Sequence, residues 1–168
     1  LFGGYGIILY IFAVIRKTSV MRKFISQADY ELSNKAVLLK SVRLESGKSS
    51  MVLDSGESVK ERGLKSTALV HYLCDKYGIP YVSVCVSDSK RKKQGNGEVR
   101  GLYYPAERKI VVYNKTAAKG NVIAIKTFYD TLLHEFMHHY DHCILRLHDS
   151  PHTKGFYLRI RKLKAKLG

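Results

Sequence analysis

Five consecutive residues, His134-Glu135-Phe136-Met137-His138, constrain this chain more than anything else in it. Two imidazoles four positions apart can grip one ion if the backbone between them is α-helical, because positions i and i+4 then share a face. The glutamate between them stands about 100° round such a helix, beside the ion, where it can take a proton from bound water. The pattern also fits an ordinary helix with exposed histidines, so its surroundings decide. Leu132-Leu133 before it supply a wall that can be buried.

Those surroundings predict an α+β order. Leu69, Val70, Leu73, Cys74 and Tyr77 recur at helical spacing, and Gly78 with Pro80 ends the run. The segment YVSVCV at 81–86 alternates and is rich in β-branched residues, as a strand requires. Residues 99–104 and 109–114 read as two further strands joined by a short turn at Pro105-Ala106-Glu107, giving a three-stranded antiparallel meander. A helix carrying Phe128, Leu132, Leu133 and Phe136 follows. Ser150 as cap and Pro151 at the first helical position predict the start of a last helix.

A catalytic zinc site keeps three protein ligands and one open position. Asp141, His142, His148 and His152 are candidates for the third ligand, whereas His139 points away from the pair. His142 reaches the same ion poorly from a straight helix. Asp141 lies one turn beyond the pair on the metal side, and fits better as a partner that orients an imidazole. His152 lies beyond a chain reversal, so a helix packing across the first can bring it back.

HEFMHHYD followed by SPHTKGF resembles the SprT-like zinc metallopeptidases, within the wider gluzincin-type H-E-x-x-H enzymes. The likeness covers roughly residues 65 to 163, including the hairpin GLYYPAERKIVVYN, although Thr153-Lys154 stands where that family usually has Gly-Pro. It implies a zincin-like domain in which Zn²⁺ is held by His134, His138 and His152, with Phe156 packed behind the third ligand. Glu135 is then the general base in hydrolysis of a protein or peptide substrate, which pairs with an edge strand at 99–104 or 109–114. Tyr157 and Arg159 are near enough in sequence to stabilise an oxyanion. The resemblance also makes DNA, bound without sequence preference, the first anionic partner to consider.

Charge points the same way without choosing a partner. Twenty-nine Lys and Arg against 14 Asp and Glu leave +15, an excess suited to nucleic acid or acidic lipid. Lys90, Arg91, Lys92 and Lys93 form a basic loop, and Arg159, Arg161, Lys162, Lys164 and Lys166 crowd the last helix. A non-catalytic basic binding module with structural or surface histidines is therefore the rival reading. Glu135 separates the two, because a closed structural site wants a fourth ligand there and not a carboxylate.

Cys74, Cys85 and Cys143 never form a C-x-x-C pair, which argues against a disulfide framework and for a reducing, cytoplasmic setting. The chain opens on Leu, as expected of a fragment or trimmed product, and residues 1–15 (LFGGYGIILYIFAVI) carry no charge. That is short of the roughly 20 residues needed to span a bilayer. Residues 1–23 are expected to be a membrane anchor or an upstream extension, with the basic flank Arg16-Lys17 and Arg22-Lys23 holding the rest on the cytoplasmic side. Residues 24–63 read as a loose elaboration, and 64–168 as the catalytic domain.

Overall fold

The structure is a computed structural model that describes residues 27–89, 93–94 and 97–168. The apolar segment at 1–23 and the basic residues Lys90, Arg91 and Lys92 lie outside the described residues. Among the described residues no helix is long and apolar enough to cross a membrane.

A helix over residues 27–35 (α1) comes first, followed by an extended stretch and a single turn at Ser50–Leu53 (α2). The long helix α3 spans Val59–Tyr77. It starts where the Ser58 hydroxyl accepts from the Glu61 N–H, and stops where Gly78 turns left-handed at φ 64°. There the Gly78 and Ile79 N–H groups donate to the last carbonyls of the helix. Five strands follow: β1 (Ser83–Ser87), the short pair β2 (Lys93–Gln94) and β3 (Gly97–Glu98), β4 (Gly101–Tyr104) and β5 (Lys109–Tyr113). Helix α4 covers Ile125–Tyr140, continues as a π-helical turn at Asp141–Leu145, and gives way to α5 at Lys154–Leu167.

The main sheet is mixed, and the expected antiparallel meander is not formed. Its order is β1-β5-β4, with β1 parallel and β4 antiparallel to the central β5. Only β4 and β5 are joined by a tight turn, closed by the Arg108 N–H on the Pro105 carbonyl. The chain between β1 and β4 folds into its own small β2/β3 ladder, so β1 has no tight turn to β4 and reaches β5 by a crossover. This leaves β4 at the sheet edge beside α4.

Along β5, Ile110 and Val112 turn into the core while their neighbours are half-buried. Leu69, Val70, Leu73 and Tyr77 of α3 meet Phe128, Leu132, Leu133, Phe136 and Met137 of α4 there, with Phe156, Leu163 and Leu167 of α5 closing the far side. All of these are fully buried.

Two boundaries differ from expectation. The division at residue 63/64 falls inside α3, and the segment before it belongs to the same core. Val52 is fully buried, and Tyr140 of α4 accepts a 2.7 Å bond from the Lys40 N–H. The last helix also begins later than Ser150-Pro151. Its cap is Thr153, whose hydroxyl accepts from the Phe156 N–H, because the Ser150 hydroxyl is already engaged by Asp141.

Candidate metal centre

Helix α4 carries His134 and His138, both partly buried, on one face, as i, i+4 spacing dictates. The π-helical turn then widens the helix, and Arg146, left-handed at φ 55°, reverses the chain. Residues 147–153 return across α4 and place His152 just before the α5 cap. The three Nε2 atoms converge: 2.9 Å from His134 to His152, 3.0 Å from His152 to His138, and 3.2 Å from His138 to His134. Among the described residues this is the one group of three that could hold a metal ion. Nitrogens each 2.0–2.1 Å from a tetrahedral ion would be about 3.3 Å apart, close to these separations.

The donor chemistry fits a cation. The His138 ring also bonds the Ser150 backbone. With Nε2 turned toward its neighbours, that bond uses the other ring nitrogen as donor and leaves a lone pair on Nε2. Burial pulls His134 down to about 4, with the adjacent His152 adding to it. His138 falls to about 3, through burial first and then His134 and His152. Burial lowers His152 as well. All three imidazoles are therefore neutral, and ligand-ready, near pH 7. The Phe156 ring backs the whole triad, its centroid 5.0, 4.7 and 5.2 Å from those of His134, His138 and His152.

Glu135 is buried at the floor of a cleft of about 650 Å³ that also exposes His134, His138 and His152. Edge strand β4 forms one wall, with Gly101, Leu102 and Tyr103, while Leu147, His148 and Asp149 form another. A Cβ at Gly101 would lie 2.7 Å from Cγ and Oε1 of Glu135 and 2.8 Å from Cγ2 of Thr131. Only glycine lets the strand approach the helix so closely.

His139 faces the opposite way, as expected. It is fully buried, with Nε2 2.8 Å from the Pro80 carbonyl oxygen and Nδ1 3.0 Å from the Tyr103 hydroxyl. Nε2 must then carry the proton, and Nδ1 accepts from Tyr103. This bond ties α4 to β4 directly behind the cleft.

Of the other candidates, His142 and His148 line the cleft without joining the triad, and the His142 Nδ1 bonds the Leu147 carbonyl. Tyr157 stands beside the triad, more than half exposed, with its ring 6.4 Å from that of His134 and 6.1 Å from that of His152. Arg159 cannot stabilise an oxyanion. It is fully buried, and its guanidinium is spent on Asp141 at 2.6 Å and on Ser33 and Ala36. Asp141 bonds Arg159 and the Ser150 hydroxyl and touches no imidazole directly, because the π-helical turn buries it against α5. Lys93 begins β2, and the rest of the basic loop lies outside the described residues.

Sequence reasoning missed Gly101, Tyr103, Ser150 and the α1 contacts around Asp141. A glycine inside a strand pattern is itself a signal of close backbone approach, so Gly101 was discoverable. No protein-family model matches this chain, and comparisons with curated proteins and with solved structures give no significant match.

Proposed function

We propose that this chain is a zinc-dependent metallopeptidase of the SprT-like, zincin-like kind. The observation that carries the reading is the convergence of three neutral imidazoles beside a buried glutamate, at the floor of a cleft bounded by an edge strand. A purely structural site would be closed by a fourth ligand, and here the fourth side opens to the cleft.

His134, His138 and His152 would hold the ion. Bound Zn²⁺ supplies a Lewis acid and an acidified water. An extended peptide lies along β4, which offers its outer backbone groups for strand addition. Glu135 takes the proton of the attacking water on its carboxylate and delivers it to the departing amide nitrogen. Its burial raises the value of that proton transfer by keeping bulk water from competing. Tyr157, exposed beside the triad, would donate toward developing negative charge.

The test is Glu135→Gln, assayed on a casein-like substrate with zinc content measured in parallel. The amide keeps its volume and bonding but cannot accept a proton, so turnover should fall about 10²- to 10⁴-fold with zinc retained. His138→Ala should lose both metal and turnover. Undiminished turnover in Glu135→Gln would remove the general-base role, and a wild-type protein that binds no zinc would remove the reading itself.

A further inference from the structure

Among the described residues no backbone group bonds the ring of the third histidine as Ser150 does that of His138, so the connection that carries it sets its position. His152 is exposed, and its ring meets the other two imidazoles, Phe156 and Tyr157. The connection on either side of it, by contrast, is anchored at positions 149, 150, 151 and 153. The Asp149 N–H donates to Oδ2 of Asp29 at 2.8 Å. Ser150 donates its hydroxyl to Asp141 at 2.9 Å. The Ser33 hydroxyl lies 3.4 Å from the Pro151 carbonyl oxygen and 2.9 Å from the Thr153 hydroxyl.

Three of those four anchors come from α1, a helix that supplies no ligand. Asp29 is nearly buried and Ser33 completely so. Arg159 ties the anchors together: it donates to the Ser33 carbonyl at 2.8 Å, to the Ser33 hydroxyl at 3.1 Å, to the Ala36 carbonyl, and to Asp141 at 2.6 Å. The fit between α1 and α5 leaves no slack. A Cβ on Gly155 would come 2.1 Å from the Ser33 carbonyl oxygen and 2.7 Å from that of Asn34.

Resting on the metal-centre reading above, we infer that Asp29 and Ser33 of α1 are positioning residues for the third metal ligand. They act through the 149–153 connection, with Arg159 and Asp141 as the buried brace. Removing them frees His152 to leave the triad while His134 and His138 stay fixed by α4. The same connection carries the Ser150 backbone that bonds His138, so a smaller effect passes through that ring too. Partners that orient metal ligands in this way are worth about 10- to 100-fold in affinity.

The experiment is a titration of the full chain with Co²⁺, followed by its d–d absorption, and with Zn²⁺ against a competing chelator. It compares wild type, Asp29→Ala/Ser33→Ala, His152→Ala and the triple variant, all well below their unfolding temperatures in chelator. The double variant should bind about 10- to 100-fold more weakly, with a Co²⁺ spectrum moved toward that of His152→Ala. On the His152→Ala background the same pair of substitutions should cost at least fivefold less, and Asp29→Asn, which keeps an acceptor, should bind near wild type. A stabilising role alone would lower the unfolding temperature and leave the metal affinity of the folded protein unchanged; that result would overturn the inference. Equal losses on both backgrounds would overturn it as well. Failure of wild type to bind either ion would instead overturn the metal-centre reading, and this inference with it. If the double variant does not fold, Ser33→Ala alone carries the comparison, with an expected loss of about fivefold from its missing hydrogen bonds.

Discussion

Phe156 packs behind the three imidazoles and Gly101 against Glu135, and such close contacts make single substitutions informative. Gly101→Ala puts a methyl group where Glu135 now lies, and the cheapest response is for the flexible glutamate to move. Displacing a reacting group by about 1 Å costs about 100-fold, so Gly101→Ala should lose turnover on that scale while zinc content stays whole. The histidines predict a pH dependence in chelator-treated protein. His134 and His138 titrate near 4 and 3 in the fold against 6.5 when exposed, so the unfolded chain binds protons that the fold refuses. Stability should therefore be complete above about pH 6.5 and decline as pH falls toward 4, which urea midpoints at pH 7 and pH 5 will show. At this scale the sequence is readable: His134, Glu135 and His138 need only one helix to be recognised. Asp141 and Arg159 are not readable, because their roles depend on being buried against each other, and no spacing rule reports burial of a charged pair.

Elements divide along the same line. Helices α3 and α4 follow from apolar spacing, and the end of α3 from a local stop signal, since the backbone hydrogen bonds of a helix are local. Gly78 is a case in point, at φ 64° where an L side chain is strained. Gly78→Ala should destabilise the protein by about 1–2 kcal/mol, measured by urea unfolding, with metal affinity unchanged. Strand order is different in kind. The segments 99–104 and 109–114 do form a hairpin, but whether 81–86 joins beside the first or the second is settled by packing on α3 and α4. Its pairing with β5 in parallel register, from Ser83 opposite Lys109 to Ser87 opposite Tyr113, has no local signature. The start of α5 was misplaced for a related reason: Ser150 and Thr153 are both good caps, and the tertiary partner Asp141 claims the first of them.

The molecule as a whole is braced around one buried ion pair, Arg159 with Asp141, neither of which is exposed at all. Replacing Arg159 by Met should destabilise the fold by about 3–5 kcal/mol, because Asp141 is left without its cation. Arg159→Met/Asp141→Leu should recover much of that, as denaturant unfolding of the two variants will report. The residues 24–63 look unstructured in the sequence because their partners are so remote; Asp29 meets Asp149 and Ser33 meets Thr153 across 120 positions. That separation also fixes an order of events in time. Helix α1 has nothing to hold until the 149–153 connection reaches it, and nothing local rewards closing so long a loop. The triad should therefore form late in folding. In refolding experiments the Co²⁺ colour should appear with the slowest phase, well after α-helical signal has returned. A protein assembled in that order spends its half-made life without its third imidazole in place.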